Sequence, residues 1–334
     1  MKKLRFGILS TAKIALTKVI PAMQNSALTE VVAISSRSAD KARTAAEKLG
    51  IQKYYDSYEA LLKDPDIDAI YNPLPNHLHC PWSKKAMEAG KHVLCEKPLG
   101  LTTEEIEDLI ITRDRCGVTA AEAFMVKSCP QWLETRELVR SGELGDLRVI
   151  QGFFSYDNRD PQNIRNIADI GGGAMWDIGC YPVVLSRYLF AGEPKRVAAL
   201  LEFDPVMKTD RLASVVMEFD QGQSIFTVST QLVPYQRMHL FGTTGHLEVM
   251  IPFNAPNASP CIIKQDTGTL AEAEVRSRSF PVVDQYTLQG DDFARAVCEN
   301  GPVHQPLEDA LKNTRVINAL FTAARETRWV AIEA

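Results

Sequence analysis

Two short motifs in this chain combine residue types that can carry out proton chemistry. A Glu-Lys-Pro motif at residues 96–98 follows the apolar residues 92–95, which are typical of a buried strand. Its lysine, Lys97, would lie at the carboxyl end of a sheet strand, where open α/β sheets bind ligands. The second motif places Asp177 four residues before Tyr181. In a helix, this spacing puts the carboxyl and the phenol on one face.

These groups suit the oxidation of an alcohol, in which a hydroxyl proton is removed while hydride leaves for an acceptor. A tyrosine has an unperturbed pKa of about 10, too high for a base at neutral pH, and a nearby ammonium lowers that pKa. We predict that Lys97 tunes Tyr181 as the proton carrier, while Asp177 orients Lys97 or binds a substrate hydroxyl. Lys97 as the proton carrier stays open, as do a helix cap for Asp177 and a core position for Tyr181.

The elements around the first motif alternate between strand and helix. Strands are predicted at residues 4–9, 30–35, 68–72, 92–95 and 118–123, with a brief one at 54–55. Helices are predicted at residues 12–23, 39–49, 57–63 and 81–89, and Thr102 and Glu105 form a capping box that opens another. Alternation of this kind indicates βαβ units with right-handed crossovers. We predict an α/β fold with a doubly wound parallel Rossmann sheet over residues 1–123.

The pattern changes after residue 123. A helix is predicted at 130–141 and two closing helices at 285–298 and 309–326. Strands dominate between them, at residues 147–156, 197–203, 213–219, 224–231, 238–241, 246–250 and 261–264. Several of these strands alternate apolar with polar residues, as expected for an antiparallel sheet with one wet face. The sequence therefore predicts a second, α+β domain over residues 124–334, built on a large, mostly antiparallel sheet.

The turn after the first strand is a degenerate dinucleotide fingerprint. In place of G-x-G-x-x-G it has Ser10-x-Ala12-x-x-Ala15, so the three positions remain small. A pyrophosphate could still approach the amides of this turn, and we predict cofactor contacts from Ser10, Thr11, Ala12, Lys13 and Ile14. A tight turn packed with small residues is the alternative.

The end of the second strand favours NADP over NAD. NAD enzymes usually place an acidic residue there for the ribose hydroxyls, whereas this chain has Ser36, Arg37 and Ser38, with Lys41 one turn further on. Hydroxyls and an arginine suit a 2′-phosphate. A solvated basic helix start is the alternative.

Further cofactor contacts are predicted around other strand ends. Two prolines fix a rigid turn at residues 73–77, and the predicted contacts there are Pro73, Leu74, Asn76 and His77. An N-cap role for Asn76 and a surface position for His77 are the alternatives. Glu96 is predicted to anchor Lys97 or face the nicotinamide ribose. Arg165 and Trp176 are additional candidates for cofactor or substrate contact.

Composition excludes several classes of protein. The chain has 334 residues, enough for two domains, and a net charge of -5, which gives no electrostatic case for nucleic acid. The sequence contains no run of about 18 apolar residues, so no membrane span is expected, and the first residues do not resemble a signal peptide. The seven cysteines lack C-x-x-C spacing and indicate reduced thiols in the cytoplasm. The side chains of residues 77–80 diverge, so no metal site is expected.

Together these motifs resemble the glucose–fructose oxidoreductase/inositol dehydrogenase/MocA (Gfo/Idh/MocA) family of NAD(P)-dependent oxidoreductases. The resemblance rests on the 10–15 turn, the Pro-Leu-Pro-Asn-His segment at 73–77, the Glu-Lys-Pro motif and the glycine-rich segment 171–181. It implies a lysine that acts at the reacting carbon, often before a cis proline. Tyr181 stands where the family commonly has histidine, as in the branch of dimeric dihydrodiol dehydrogenase and D-xylose dehydrogenase.

The resemblance also implies what the protein does. It indicates an NADP-dependent oxidoreductase, with NAD possible, that transfers hydride to or from a hydroxyl or carbonyl carbon. A sugar, a cyclic polyol or a trans-dihydrodiol is the expected substrate, and a homodimer through the C-terminal sheet is the expected assembly. A reductase of 1,5-anhydrofructose-like carbonyl compounds and a non-catalytic NADP- or sugar-binding regulator are the alternatives.

Overall fold

A computed structural model describes residues 3–268 and 275–332, which form two compact units. The first unit contains the chain up to residue 128 together with residues 284–311, and the second contains residues 129–283 and the chain from 312 onward. The sequence analysis placed the boundary between residues 123 and 124 and assigned all later residues to the second domain. In the structure, residues 284–311 belong with the first unit.

Among the described residues of the first unit, six parallel strands form one sheet. They are β1 (Leu4–Ile8), β2 (Thr29–Ser35), β3 (Lys53–Tyr55), β4 (Ala69–Asn72), β5 (His92–Glu96) and β6 (Ala120–Ala123). Their order is β3-β2-β1-β4-β5-β6, which confirms the predicted doubly wound Rossmann sheet. Since β1, β4 and β5 are neighbours, the segments that follow them meet at one edge of the sheet.

The helices of this unit follow the predicted alternation with one local difference. They are α1 (Ile20–Gln24), α2 (Ala39–Leu49), α3 (Tyr58–Leu62), α4 (His79–Glu88) and α5 (Thr103–Cys116). The predicted capping box is confirmed, since Thr102 accepts from the Glu105 N–H and Glu105 accepts from the Thr102 N–H. Where a regular helix was predicted at 12–23, a π-helical turn (Ala15–Val19) precedes α1.

The second unit is built on a mostly antiparallel sheet, as predicted. Its helices α6 (Pro130–Arg140) and α7 (Cys180–Phe190) accompany nine strands in the described part of the chain. The strands are β7 (Leu147–Asp157), β8 (Arg196–Phe203), β9 (Asp210–Glu218), β10 (Gln223–Ser229), β11 (Gln231–Gly242), β12 (His246–Val249), β13 (Ile262–Asp266), β14 (Arg276–Ser279) and β15 (Val330–Ala331). Their order is β14-β13-β12-β11-β7-β10-β9-β8-β15, with β7 and β10 parallel.

Two helices close the chain. α8 (Gln285–Cys298) belongs to the first unit, and α9 (Leu307–Glu326) begins in the first unit and continues in the second. In the first unit, apolar side chains of the helices pack against the sheet, and Phe6 and Phe293 bring β1 and α8 together with ring centroids 5.9 Å apart. Within the described ranges, no helix has the length and apolar character to cross a membrane.

Candidate active site

The first group of reactive side chains lies where β5 ends in the first unit. Glu96 and Lys97 are half-buried, and the peptide bond from Lys97 to Pro98 is cis. The hydroxyl of Tyr71, on the neighbouring strand β4, donates to Glu96 Oε1 at 2.5 Å. Glu96 is therefore anchored by a buried phenol beside the lysine. We call Tyr71, Glu96, Lys97 and Tyr286 the strand-end cluster.

Tyr286 is the member of this cluster that the sequence did not reveal. It lies in the first turn of α8, and burial and the Glu96 carboxylate raise the pKa of its phenol, while the Lys97 ammonium opposes that rise. Tyr286 therefore shares the electrostatic environment of Glu96 and Lys97. No local pattern could have predicted this, because nearly 200 residues separate α8 from β5 in the chain.

A buried histidine supports the turn that follows Lys97. The Nδ1 atom of His79 lies 2.8 Å from the Pro98 carbonyl oxygen, and its Nε2 atom lies 2.6 Å from that of Leu74. Burial lowers the pKa of His79 to about 4. The neutral imidazole has a single N–H, which donates to one of these two carbonyls, and the ring lies between the turn after β5 and the turn after β4. The sequence had singled out His77 instead, whose buried Nδ1 atom has no hydrogen-bond partner in the described part of the chain.

The turn after β1 fits a dinucleotide. Ser10 has φ 69°, in the left-handed region that favours glycine, and its Oγ accepts from the Ala12 N–H at 3.2 Å. Residues 10–12 and Ile14 are half-buried, Lys13 is exposed, and Ala15 is fully buried. A serine at the first position of the fingerprint thus adopts a conformation that favours glycine in a tight turn.

The end of β2 presents hydroxyls and cations. Ser36 is buried, and Ser38 caps α2 by accepting from the Lys41 N–H. Arg37 and Lys41 are exposed, and the Arg37 guanidinium hydrogen-bonds to Tyr58, where it opposes the rise that burial causes in the pKa of that phenol. Because residues 35–38 include no carboxylate, this end of β2 suits a phosphate better than a free ribose hydroxyl.

The second group of reactive side chains surrounds Asp177 in the second unit. Its Oδ1 atom forms an ion pair with Arg165 Nε at 3.0 Å, and its Oδ2 atom accepts from the Tyr156 hydroxyl at 2.5 Å. The charge of Asp177 raises the pKa of Arg165, and burial and Asp177 raise the pKa of Tyr156. Arg165, predicted as a cofactor or substrate contact, is thus a partner of Asp177. We call Tyr156, Arg165, Asp177 and Tyr181 the carboxylate cluster.

Asp177 and Tyr181 do not share one regular α-helix, although their spacing suggested that they would. Asp177 lies in a π-helical turn (Met175–Gly179), and Tyr181 is in the first turn of α7. Tyr181 is buried, with its ring 5.8 Å from that of Phe154 and 5.5 Å from that of Phe253. Its phenol also contributes to the raised pKa of Arg165, so it belongs to the same electrostatic environment. Trp176 is buried and packs against Phe321.

A parallel dinucleotide-binding sheet and a second unit with an ordered carboxylate and phenol define an NAD(P)-dependent oxidoreductase. The chain belongs to the Gfo/Idh/MocA family. Residues 4–124 match the oxidoreductase family with an NAD-binding Rossmann fold, and residues 132–248 match the GFO/IDH/MocA C-terminal domain. The family that the motifs resembled is thereby confirmed, and with it the prediction of an enzyme.

Known relatives cover nearly the whole chain. An oxidoreductase of Rhizobium meliloti is 46% identical over 99% of this chain and 100% of its own length. The D-xylose 1-dehydrogenase (NADP(+)) 2 of Haloferax volcanii is 36% identical over 98% of this chain and 99% of its own length. A 3-ketoreductase from Actinomadura kijaniata, solved with NADP and TDP-benzene, has a TM-score of 0.89 and 29% identity, covering 96% of this chain and 98% of that chain.

Proposed function

We propose that this protein is an NADP-dependent oxidoreductase acting on a hydroxyl or carbonyl carbon of a sugar, a cyclic polyol or a trans-dihydrodiol. The observation that carries the proposal is the carboxylate cluster, in which Asp177 has two fixed partners and Tyr181 follows one turn later. Lys97, at the carboxyl end of β5, adds a cation at the position where open sheets bind ligands.

Each of these side chains has a role in the proposed reaction. The nicotinamide, when bound, accepts or supplies the hydride. Tyr181 carries the hydroxyl proton, and the Lys97 ammonium favours its phenolate form and polarises the substrate oxygen. Asp177, held by Arg165 and Tyr156, binds a further substrate hydroxyl or orients the lysine. Lys97 as the proton carrier is the alternative assignment.

The ketoreductase relative supports these assignments. It was also crystallised with a tyrosine replaced by phenylalanine and with a lysine replaced by alanine or by glutamate. The number of residues between those two positions equals the number between Lys97 and Tyr181. This relative also favours reduction of a ketone as the second candidate function, in line with the carbonyl reductase alternative.

We propose that the cofactor is NADP rather than NAD. Ser36, Arg37, Ser38 and Lys41 would hold the 2′-phosphate, and the turn at residues 10–14 would hold the pyrophosphate. The remaining predicted contacts are Pro73, Leu74, Asn76, His77, Glu96, Lys97, Arg165 and Trp176. Two relatives support this choice, because the D-xylose dehydrogenase is an NADP(+) enzyme and the ketoreductase was solved with NADP.

We also propose a cytoplasmic homodimer that associates through the nine-stranded sheet. Its support is a set of exposed apolar side chains on β8 and β11, such as Leu200, which is 76% exposed, Phe203 and Tyr235. The cytoplasmic location rests on the expectation of reduced thiols. Sedimentation velocity measures the oligomeric state directly.

The test of the function is NADP reduction over a panel of sugars, polyols and diols, with NADPH oxidation by ketones measured in parallel. Lys97→Met and Tyr181→Phe should each lower kcat by about 10² or more while NADP binding is retained. Lys84→Met, at a surface ion pair, and Tyr188→Phe, on the same helix as Tyr181, are the matched controls. Turnover at the wild-type rate in either site variant would contradict the mechanism.

A further inference from the structure

We infer that Asp210 is a positioning residue that holds the turn carrying Asp177 and leading to Tyr181, and that Gly173 is required because it makes room for the Asp210 carboxylate. The inference deepens the proposed function and rests on it for the roles of Asp177 and Tyr181. We call the hydrogen bonds from the backbone N–H groups of residues 174 and 175 to the Asp210 carboxylate, together with the space left at Gly173, the lock. The lock lies within the second unit and can be measured without any substrate.

Asp210 anchors the start of the π-helical turn. It is the first residue of β9 and is only 2% exposed. Its Oδ2 atom accepts from the Met175 N–H at 2.7 Å, and the carboxylate also accepts from the Ala174 N–H. The first N–H groups of a helical segment have no acceptor within it, so a carboxylate from another strand satisfies them. Asp210 therefore fixes the backbone directly before Asp177.

The absence of a side chain at Gly173 leaves room for this carboxylate. Its φ is 118°, a conformation that residues with a side chain rarely adopt, and a Cβ atom there would lie 1.9 Å from Asp210 Oδ1. A Cβ atom at Gly172 would lie 2.7 Å from the carbonyl oxygens of Arg165 and Ile167. In the structure, positions 172 and 173 accommodate polar groups of the protein itself.

The same backbone holds both partners of the Asp177 ion pair. The Gly173 N–H donates to the Arg165 carbonyl at 2.8 Å, and the Arg165 guanidinium pairs with Asp177. The Asp210 charge also contributes to the raised pKa of Tyr156, whose hydroxyl donates to Asp177. Loss of the lock would therefore displace Arg165 and Asp177 relative to each other.

A second buried aspartate in the same unit provides a matched control. Asp204 also accepts from two backbone N–H groups, those of Val206 at 2.8 Å and Met207 at 2.9 Å. The Gln231 side chain and these N–H groups lower the pKa of Asp204 to about 2, whereas burial raises the pKa of Asp210 to about 7. Asp204 caps a turn after β8, and the hydrogen bonds of its side chain that the structure describes go to residues 206, 207 and 231 rather than to the glycine segment.

The test compares Asp210→Asn with Asp204→Asn. An asparagine has one acceptor oxygen where the carboxylate has two, so Asp210→Asn should lower kcat by roughly 10- to 100-fold through misplacement of Asp177 and Tyr181. The KM for NADP should stay unchanged. Ionised Asp210 accepts both N–H groups best, so kcat of the wild-type enzyme should rise as the pH passes through about 7. That rise should be absent in Asp210→Asn and present in Asp204→Asn.

Amide hydrogen exchange of residues 174–181 reads the lock without a substrate. Exchange should accelerate in Asp210→Asn and in Gly173→Ala but not in Asp204→Asn, and the double variant should exchange no faster than the faster single variant. Unchanged exchange in folded Asp210→Asn would overturn the inference. So would wild-type kcat with an unaltered pH profile. If instead no substrate is turned over by the wild type while exchange accelerates as expected, only the proposed function fails.

Discussion

The two units hold their reactive side chains in different ways. In the strand-end cluster, Glu96 and Lys97 are consecutive residues where one strand ends, and the Tyr71 hydroxyl of the adjacent strand adds a hydrogen bond to Glu96. In the carboxylate cluster, Asp177 is held by Arg165 and Tyr156, which come from separate segments. Consecutive residues at a strand end form a motif that can be recognised in sequence. A network of separate segments becomes visible only in three dimensions.

The supports of the two clusters also differ in charge. His79 lies between two turns, and because its pKa is lowered to about 4 it is neutral at physiological pH, so that its single N–H donates to one of the two backbone carbonyls. Asp177 and Arg165 instead neutralise each other. Removing one member of such a pair leaves the other without its counter-charge, which costs more than losing a neutral hydrogen bond. We therefore expect single substitutions to affect the carboxylate cluster more than the supports of the strand-end cluster.

Asp177→Ala, in the carboxylate cluster, should have the largest effect of the substitutions that compare the two units, and the effect should be on kcat. It removes the proposed substrate contact and leaves Arg165 and Tyr156 without their shared acceptor, so kcat should fall by about 10² to 10³. NADP affinity, measured by isothermal titration calorimetry, should remain that of the wild type. Asp169→Ala, at an exposed carboxylate nearby in the chain, is the control and should leave kcat unchanged. Equal losses in both variants would show that the cluster has no special role.

His79→Phe should have an intermediate effect, on stability. A buried aromatic ring is kept, but one of the carbonyls of Leu74 and Pro98 loses its donor, at a cost of about 1–3 kcal/mol for a buried unsatisfied group. Urea unfolding measures this free energy, with His304→Phe as the exposed control. His79 takes up a proton near pH 6.5 in the unfolded chain but only near pH 4 in the folded protein, so the wild type is less stable at pH 6 and the measured loss should be smaller at pH 6 than at pH 8. A loss that vanished at pH 8 would assign the effect to a charged imidazole.

Arg37→Ala should have the smallest effect and should act on the cofactor alone. Loss of one phosphate contact should weaken NADP binding by about tenfold while NAD binding stays unchanged. Arg43→Ala, which removes an arginine paired with Asp40 on the same helix, should change neither affinity. Titration of both cofactors against both variants measures the preference. An unaltered ratio of NADP to NAD affinity in Arg37→Ala would remove this residue from the site.

Local signals predicted much of the fold. The alternation of short apolar runs with capped helices predicted the parallel sheet, because strand and helix periods can be recognised within a few residues. The capping box at Thr102 is an example, since its partners lie three residues apart. The start of β11 at Gln231 rather than residue 238, and the short strands β14 and β15, were missed. Their residues do not show a regular apolar alternation, and pairing with neighbours defines them.

The proposed site residues were chosen from the same kind of local signal. Lys97, Asp177 and Tyr181 were chosen because each lies in a short, recognisable motif. Tyr156 was not chosen, and only the structure shows its hydrogen bond to Asp177. Tyr286, His79 and Asp210 were not chosen, because their contacts join residues that are far apart in the chain. His79 and Pro98 are 19 positions apart, and the contacts of Asp210 and Tyr286 join residues that are further apart still.

The amino-acid sequence by itself determined the family, the Rossmann sheet and the residue types that carry the proposed chemistry. These depend on short-range periodicity and on motifs of consecutive residues. Only the tertiary structure decided which groups support them: His79 for the turn after Lys97, Arg165 and Tyr156 for Asp177, and Asp210 for the glycine segment. The physical reason is that burial and hydrogen bonding between distant segments set these pairings, and neither can be derived from local spacing.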